Sequence, residues 1–570
     1  MQYALFCKYQ LIKYKPWNNE ISNAWDNEDI SEEMFCEKWN SFLQTELGQQ
    51  LVPDWRRHLT NAEIYFSTEN SVNDNLEEVN YENQCSREEW MYLSELNVNN
   101  QVNETDSTVD VDYWSQCHEK FTQEEINSMP TWLSTAKGSC ESSTEEYLDI
   151  DINTLNSSQK KAYDIVENHF KCDSENQEQL LMIIKGGAGC GKSYLIDALR
   201  SLLRECCIVS AFFGMASFNV KGKTLHSILR LPIRGKYRNS LKGPALLKLQ
   251  EAMNGIKYLI IDEFSVVGQN MLGWIDKRCR QATGISDLPF GGISVFLVGD
   301  IGQLPPVLDK VLYHKKPNEE IETEGFIIYG LFDKVIVLTK NERSRGESRE
   351  QQRFRQLLLN IRNGTVTEDD WVLLQTRTPD SDRNNMDTKE YVKLSFSNEK
   401  VANDNFEALK SLNVPIAQVN ARHNSSSAAK LSSDDMGGLE PKIFLAVGAR
   451  VMITRNLWTE KGLCNGSVGT ISDVVYKQGD KPPALPVAVI IQFDETYTGP
   501  SFSSDKPRCV PIPAQINESD LYGSSHERQQ LPVKLSWAIT IHKSQGLTLD
   551  KAWVDIGKSE KFSGLSYVGL

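Results

Sequence analysis

Eight consecutive residues in the first half of the chain have the types and the spacing of a phosphate-binding loop. The pattern GxxxxGK[ST] is fitted by Gly186, Gly187, Ala188, Gly189, Cys190, Gly191, Lys192 and Ser193. An apolar run precedes them and an amphipathic segment follows, which is the context that this pattern requires. Glycines let the backbone curl so that its N–H groups point at phosphate oxygens, and the following helix adds its positive N-terminal end. The pattern predicts that Lys192 binds the β- and γ-phosphates of a nucleotide and that Ser193 binds Mg²⁺.

Two further strand-like runs end in polar side chains. KYLIIDEFS contains Asp262 and Glu263, a carboxylate pair that suits the hydrolysis of a nucleoside triphosphate. In this setting Asp262 would hold Mg²⁺, and Glu263 would orient and deprotonate the attacking water. VFLVGDIGQLPPV supplies Asp300 and Gln303, and the glutamine could sense the γ-phosphate. Each of these two segments is common in proteins by itself. The phosphate-binding loop followed by both segments, in this order, predicts a nucleoside triphosphatase.

Short, continuous apolar runs predict strands that are buried on both faces. The runs lie at 180–185, 257–262, 295–300 and 334–339. Because amphipathic segments of helix length separate them, the sequence predicts an α/β fold with a mostly parallel sheet. Three later runs are punctuated by Gly, Asn-Gly and Pro, and they predict a small β-barrel inserted in the α/β body. These runs lie at 449–454, 467–476 and 486–493.

The composition is that of a globular protein with about three to five domains of roughly 100–200 residues each. The chain has 570 residues, of which 40% are hydrophobic and 24% are charged. It has no apolar stretch near the ~18 residues of a membrane helix, and lysines stand where a signal peptide needs an apolar centre. Its twelve cysteines are scattered without a CxxC pair. We therefore expect a reduced, intracellular protein with no membrane contact and no zinc or disulfide framework.

The net charge of −16 is unevenly distributed. Residues 1–154 hold 30 acidic and 9 basic residues, so the rest of the chain is slightly basic and could offer a groove to a polyanion. Within 61–118, 13 acidic residues accompany one base, a composition that buries too little apolar surface to offset the entropy of folding. We predict a small N-terminal element over 1–60, which has four tryptophans, and an acidic, mostly disordered linker over 61–152. The linker could bind a protein partner or be a solvated surface.

Several strings resemble those of the Pif-type (petite integration frequency) ATP-dependent DNA helicases of superfamily 1, including the helicase parts of Helitron transposons. The resemblance runs from about residue 153 to the last residue. The strings are LNSSQKKAY (155–163), GGAGCGKS, NVKGKTLHS (219–227), IIDEFS, GDIGQLPPV and LSWAITIHKSQGLTLD (535–550). The last string is the most specific, because a general nucleoside triphosphatase has no need of it.

The resemblance implies ATP as the substrate, Mg²⁺ as the cofactor, and single-stranded and forked DNA as partners. It implies that Gln159 contacts the adenine and that Arg343 reaches the γ-phosphate. The residues expected to line the DNA path, or to couple it to ATP, are Thr224, His226, His542, Lys543, Ser544 and Gln545. The expected function is 5′-to-3′ translocation and unwinding in repair, recombination, replication, telomere maintenance or transposition. The nucleus is the expected location, with the mitochondrion as the alternative.

The resemblance also implies two RecA-like lobes with ATP in the cleft between them. The expected boundaries are 153–335 for the first lobe, 336–438 and 531–570 for the two parts of the second lobe, and 439–530 for the inserted barrel. Hydrolysis would open and close the cleft and move one lobe along the DNA strand in each cycle.

Two departures from the family pattern bear on activity. The family carries Pro-Thr-Gly where this chain has Phe212-Phe213-Gly214, so the threonine that contacts DNA has no counterpart. The string SGLSYVGL resembles the start of the final helicase motif, which continues Ser-Arg, whereas the sequence stops at Leu570. Two alternatives to an active helicase therefore stay open. One is a truncated, transposon-derived remnant that binds ATP or DNA without turnover, and the other is a DNA-stimulated ATPase that does not unwind.

Overall fold

The computed structural model describes most of the chain. The described residues are 32–45, 88–96, 113–140, 147, 150–172, 178–231, 240–342, 348–378, 391–503, 505–521, 524–556 and 564–570. They fall into two compact units, Met1–Gln84 and Cys85–Leu570. In the first unit, helix α1 (Glu32–Leu43) buries Trp39 and Phe42, whose ring centroids lie 5.8 Å apart. The other tryptophans of the predicted N-terminal element lie outside the described residues.

The remaining described elements all belong to the second unit. Its helices are α2 (Glu89–Glu95), α3 (Cys117–Lys120), α4 (Gln123–Ser139), α5 (Ser157–Lys171), α6 (Lys192–Leu203), α7 (Gly214–Asn219), α8 (Leu225–Leu229), α9 (Gly243–Ala252), α10 (Gln269–Thr283), α11 (Glu320–Tyr329), α12 (Arg349–Asn363), α13 (Glu368–Gln375), α14 (Asn398–Ser411), α15 (Ser426–Lys430), α16 (Ile541–Ser544) and α17 (Leu565–Gly569). Its strands are β1 (Leu181–Gly186), β2 (Cys207–Ala211), β3 (Lys223–Thr224), β4 (Tyr258–Asp262), β5 (Ser294–Gly299), β6 (Lys334–Leu338), β7 (Val392–Ser395), β8 (Ala417–Asn420), β9 (Arg422–His423), β10 (Lys442–Leu445), β11 (Arg450–Ile453), β12 (Val468–Val475), β13 (Ala488–Phe493), β14 (Cys509–Ile512), β15 (Gln515–Leu521), β16 (Ser524–Gln530), β17 (Val533–Leu535), β18 (Ala538–Thr540) and β19 (Ala552–Val554).

Six parallel strands form the first sheet, in the order β3-β2-β4-β5-β1-β6. Three of the four predicted runs, β1, β4 and β5, are buried on both faces as predicted. The fourth, β6, is a strand as predicted, but its predicted burial is wrong. It is one of the two edge strands of this sheet, and Val335 and Val337 are 54% and 51% exposed. An apolar run does not reveal whether a strand has a neighbour on its far side. The expected lobe boundary at 335 also falls inside β6.

Helices cover both faces of this sheet and create two apolar cores. Leu259 and Ile261 of β4 point to one face, where they join Leu272 of α10 in a buried cluster. Ile260, between them in sequence, points to the other face and joins Leu199 of α6. This alternation follows from the two-residue period of a strand, and it explains why β4 is apolar along its whole length.

A second parallel sheet has three strands in the order β18-β7-β19. Its central strand, β7, comes before the antiparallel region in sequence, whereas both flanking strands come after it. Helix α14 packs on the sheet, and Asn405 exchanges two buried hydrogen bonds with the backbone of Ala538 at 2.9 and 3.0 Å. The two parallel sheets with their helices confirm the α/β fold class.

Five antiparallel strands lie between the parts of the second parallel sheet, in the order β14-β13-β12-β11-β17. The three runs that predict a small β-barrel form β11, β12 and β13, so these strands are confirmed. The insertion of an antiparallel β-region is therefore observed, and its closure as a barrel stays a prediction. A polar hairpin of β15 and β16 pairs with β9 beside it.

The predicted disordered linker over 61–152 is corrected where the structure describes it. Helices α2, α3 and α4 lie within this range, and α4 is capped by Thr122 with Glu125. Ile126 and Met129 of α4 are buried against Val475 and Ile490 of the antiparallel sheet. Apolar residues at three- and four-residue spacing give α4 one apolar face, which the average composition of the segment conceals.

An acidic side chain of the same segment is buried as well. Glu89, at the start of α2, is 6% exposed and accepts a hydrogen bond from Asn405 Nδ2 at 2.6 Å. Its other oxygen lies 3.7 Å from Nζ of Lys534, which is 5% exposed. A buried lysine requires a compensating charge, so α2 is part of the packing of this region.

Among the helices that the structure describes, none combines the length and the apolar character needed to cross a membrane.

Met129→Ala in α4 should weaken the attachment of the acidic segment. Met129 is fully buried, and truncating such a side chain costs about 2–5 kcal/mol. We expect faster hydrogen–deuterium exchange of the α4 amides, corresponding to a loss of that order in the free energy of local opening. Ser128→Ala, at the neighbouring exposed position, is the control and should leave exchange unchanged. Equal exchange in the two variants would contradict the docking of α4.

Candidate active site

The phosphate-binding loop joins β1 to α6, as the sequence predicts. Gly189 and Gly191 have φ values of 75° and 72°, in the left-handed region that favours glycine. A Cβ on Gly191 would lie 2.5 Å from Nε2 of Gln159, and one on Gly186 would lie 3.0 Å from Cβ of Leu338. The loop is therefore confined between α5 on one side and the end of β6 on the other.

Lys192 and Ser193 are the first residues of α6. Lys192 donates from Nζ to the carbonyl oxygens of Gly186 and Gly187 at 3.0 and 3.2 Å, so its ammonium lies across the mouth of the loop. Ser193 is exposed in the first turn of the helix. This arrangement places a cation and a hydroxyl where the sequence motif requires them.

Gln159 lies against the outer side of the loop. Its Oε1 accepts from the backbone N–H of Asn156, which caps α5, and its Nε2 donates to the carbonyl of Gly191 at 3.0 Å. Both polar groups of the Gln159 amide are thus engaged, and its bond to Gly191 fixes the loop to α5. The loop is also held by Glu342, whose backbone N–H donates to the carbonyl of Gly189 at 2.7 Å. Arg343, the residue after Glu342, lies outside the described residues.

Asp262 and Glu263 lie at the carboxyl end of β4. Burial raises the pKa of Asp262 to about 7, the negative charge of Glu263 adds to the rise, and Lys192 opposes it. Burial also raises the pKa of Glu263, with Lys192 again opposing and Asp300 contributing. In the part of the chain that is described, Asp262 Oδ1 and Glu263 Oε2 are buried without a hydrogen-bond partner. Two buried, unsatisfied carboxylate oxygens favour a cation at this position.

Asp300, directly after β5, is fully buried and has partners from the part of the chain that follows β6. Arg362 of α12 donates from Nη2 to Oδ1 at 2.6 Å, and Tyr567 of α17 donates from Oη to Oδ2 at 2.9 Å. Burial alone would raise the pKa of Asp300, but these hydrogen bonds, the Gly302 amide and the charge of Arg362 together lower it. Asp300 therefore carries a compensated negative charge beside the loop.

Arg362 and Tyr567 were not identified as site residues by the sequence. Arg362 stands among other charged residues on an amphipathic helix, so its sequence context carries no signal. Tyr567 lies in SGLSYVGL, and the resemblance of this string to the final helicase motif is the signal that could have identified it. Gln303 also contacts the part of the chain that follows β6, because Gln545 donates from Nε2 to its Oε1 at 3.4 Å.

The residues expected to contact DNA lie in two groups that approach each other. Thr224 is buried, and His226 lies with its ring 5.3 Å from that of Phe212. Burial lowers the pKa of His226 and of His542. Asn219 of α7 donates to the carbonyl of Gly546 at 3.1 Å, which joins the two groups.

In the second group, Ser544 and Gln545 are buried and Lys543 is exposed. Ser544 donates from Oγ to the carbonyl of Ile541, a bond within its own helix. The pKa of Lys543 is raised: desolvation would lower it, but the carboxylates of Glu89 and Glu440 outweigh that effect. Lys543 is thus a protonated cation near the carboxylates of Glu89 and Glu440.

Phe212, Phe213 and Gly214, the departure from the family pattern, lie at the start of α7. The rings of the two phenylalanines are half buried and pack edge to face at 5.0 Å. A Cβ on Gly214 would lie 2.3 Å from Oδ1 of Asn456, in the antiparallel region. The segment therefore packs against residues of the inserted sheet.

Comparison with known proteins identifies relatives of the chain. Residues 154–371 match the family PIF1-like helicase, and residues 440–474 match the 2B domain of DNA helicase Pif1. ATP-dependent DNA helicase Pif1 of Campylobacter jejuni is 27% identical over 412 residues, which cover 68% of this chain and 86% of the relative. The PIF1 helicase of Xenopus laevis is 30% identical over 400 residues, which cover 68% of this chain and 56% of that protein. The chain therefore spans little more than half of the frog relative.

Solved structures give the same relationship. Pif1 helicase from Bacteroides in complex with ADP-AlF3 and single-stranded DNA is 25% identical, with a TM-score of 0.53 over 73% of this chain and 89% of that chain. A structure of two Pif1 helicases at forked double-stranded DNA is 26% identical, also with a TM-score of 0.53, over 73% and 88% of the two chains. These similarities support the two RecA-like lobes expected from the sequence.

Asp262→Asn should flatten the dependence of stability on pH. With its pKa raised from 3.8 to about 7, Asp262 holds a proton more tightly in the folded chain, so its contribution to stability falls as pH rises from about 4 through about 7. At about 1.4 kcal/mol per pKa unit, this loss is at most about 4 kcal/mol. Urea unfolding at pH 5 and pH 8 without divalent cations should show a smaller pH effect in Asp262→Asn than in the wild type. Asp505→Asn, at an exposed position, is the control, and an unchanged pH effect in Asp262→Asn would contradict the assignment.

Proposed function

Because the chain belongs to the Pif1-like helicases of superfamily 1, we propose that it is an ATP-dependent DNA helicase that translocates 5′ to 3′ on single-stranded DNA. The observation that carries this proposal is the convergence of the phosphate-binding loop, the strand-end carboxylates and residues that follow β6 at one site. A site that joins two parts of a chain can convert a chemical step into relative motion of those parts. The relatives named above support ATP as substrate and DNA as partner.

Each residue of the site has a proposed role. Gly186, Gly187, Ala188, Gly189, Cys190 and Gly191 would bind phosphate oxygens through the backbone, and Lys192 would bind the β- and γ-phosphates. Gln159 would contact the adenine, although its amide now bonds to the loop, and Arg343 would contact the γ-phosphate. Glu263 is the proposed base, because burial raises its pKa towards that of a group able to accept a proton from water. Gln303 would orient the water or the γ-phosphate.

The site also fits Mg²⁺. The buried, unpartnered oxygen of Asp262 and the hydroxyl of Ser193 are the oxygen ligands that Mg²⁺ prefers. Among the described residues, no group of three or more His, Cys, Asp or Glu side chains could hold a metal ion, so the cation would rely on the nucleotide for further ligands. Bound there, it would neutralise charge on the phosphates.

The proposed DNA path runs past Thr224, His226, His542, Lys543, Ser544 and Gln545. Thr224, Ser544 and Gln545 are buried, so they would act in coupling, whereas the accessible Lys543 would bind a phosphate. Phe212 and Phe213 are half buried and could stack on bases. We further propose forked DNA as a substrate, action in repair, recombination, replication, telomere maintenance or Helitron-like transposition, and location in the nucleus. The acidic segment remains a proposed site for a protein partner.

Lys192→Ala should abolish ATP hydrolysis stimulated by single-stranded DNA. Removing a preorganised cation from a phosphate site costs about 10²–10³ in kcat. Hydrolysis should be measured with and without an oligonucleotide, together with strand release from a forked duplex. Lys248→Ala, an exposed lysine on α9, is the control. Stimulated hydrolysis without strand release would instead indicate an ATPase that does not unwind, and no hydrolysis by the wild type would contradict the proposed function.

Lys543→Ala should weaken the binding of single-stranded DNA without a sequence preference. Loss of one phosphate contact should reduce the slope of log K against log salt by about 0.7. Fluorescence anisotropy with a labelled oligonucleotide at several salt concentrations measures this slope. Lys410→Ala, an exposed lysine on α14, should bind as the wild type does. An unchanged slope in Lys543→Ala would exclude Lys543 from the DNA path.

A further inference from the structure

The loop after β5 contacts α12 and α17, which follow it in sequence, beside the phosphate-binding loop. Arg362 approaches Asp300 as a fork: Nη2 lies 2.6 Å from Oδ1, and Nε lies 3.1 and 3.2 Å from the two carboxylate oxygens. The carboxylate is fully buried, and the arginine side chain is 22% exposed. Such a fork fixes orientation as well as distance.

Tyr567 extends this ion pair to the phosphate-binding loop. Its hydroxyl donates to Asp300 Oδ2 and accepts from the backbone N–H of Ala188 at 3.4 Å. A Cβ on Gly187 would lie 3.3 Å from this hydroxyl. One buried carboxylate thus connects α12, α17 and the backbone that would hold the phosphates.

The loop after β5 is also packed closely against the side chain of Arg362. A Cβ on Gly302 would lie 2.9 Å from Nε of Arg362. Gly564, before α17, is equally close to the loop, since its Cβ would lie 3.1 Å from the carbonyl oxygens of Gly302 and Gln303. Gln303, the proposed γ-phosphate sensor, follows Asp300 by three residues and therefore lies in the short loop that Arg362 contacts.

Stability alone does not explain a buried pair of this kind. Desolvation of two charges offsets most of their attraction, and an apolar pair of similar volume is often as stable. What the pair provides is a defined geometry between two parts of the chain, which a sliding apolar contact does not.

We propose that Arg362 is a positioning residue for ATP hydrolysis, acting through Asp300 to hold the Gln303 loop at the cleft when DNA is bound. This proposal rests on the proposed function. It adds to that function a residue of α12 that couples this helix to the phosphate site through Asp300. It assigns to Asp300 the role of the receiving group and to Tyr567 that of a supporting contact.

The test is steady-state ATP hydrolysis by the full chain, with and without a single-stranded oligonucleotide. Arg362→Ala should lower the DNA-stimulated kcat about 10- to 100-fold while the KM for ATP changes less than about threefold. Arg362→Lys keeps the charge without the fork and should recover part of the loss. Arg353→Ala, an exposed arginine on the same helix, is the matched control and should behave as the wild type does.

A double-mutant cycle separates positioning from a general effect on folding. If Arg362 acts through Asp300, the variant with both Asp300→Ala and Arg362→Ala should be within about twofold of the worse single variant. Losses that multiply, an unchanged DNA-stimulated kcat in Arg362→Ala, or a rise in KM that accounts for the whole effect would overturn the proposal. If Arg362→Ala does not fold, Arg362→Lys carries the test, and a wild-type rate in that variant overturns the proposal.

The outcomes distinguish this inference from the proposed function. A wild type that is stimulated by DNA, with an Arg362→Ala variant that is stimulated equally, overturns the inference and leaves the helicase assignment intact. A wild type without any DNA-stimulated hydrolysis overturns both.

Discussion

The charge of three carboxylates at the ends of neighbouring strands is the constraint that organises the cleft. Asp262 is the last residue of β4, and Glu263 follows it. Asp300 directly follows β5, and because the two strands are parallel neighbours, their carboxyl ends meet at one edge of the sheet. Burial makes each negative charge costly, which is why the pKa values of Asp262 and Glu263 are raised. Lys192 faces this pair from the phosphate-binding loop, and Arg362 faces Asp300 from α12, which follows the first sheet. The approach of α12 to the first sheet is therefore tied to the neutralisation of Asp300.

The residues proposed to bind ATP and those proposed to contact DNA are connected by a short series of hydrogen bonds. Gln303 follows the Asp300 carboxylate, Gln545 bonds to Gln303, and Gly546 accepts from Asn219 of α7. Three segments that are widely separated in sequence thus meet through two side-chain hydrogen bonds. A displacement of the loop after β5 necessarily changes the surroundings of Gln545, because a close-packed interior deforms little between such contacts.

Local sequence patterns were sufficient for the parts of this structure that depend on local physics. The glycine spacing of 186–191 and the polar ends of β4 and β5 predict a loop and carboxylates that the structure brings together, since backbone curvature and strand direction are set by nearby residues. The edge position of β6 could not be predicted, because exposure of Val335 depends on a neighbour that is absent from the sheet. Arg362 was missed for a similar reason: its partner lies on another element, and nothing in its helix marks it. The docking of α4 was missed because average composition hides the spacing of Ile126 and Met129.

The order of strands in the second parallel sheet has a consequence for how the chain is made. The first sheet is complete once β6 has been synthesised, so it can form while the remainder is still on the ribosome. Strand β7, in contrast, has no neighbour until β18 and β19 follow the whole antiparallel region. The edges of β7 stay unpaired until those two strands have been synthesised. Pairing between segments that are distant in sequence is slow, because the chain between them must first form a closed loop. The antiparallel region lies in the long connection between β7 and β18. If this region folds early, it shortens the flexible chain that separates the two strands, so the second sheet can form faster.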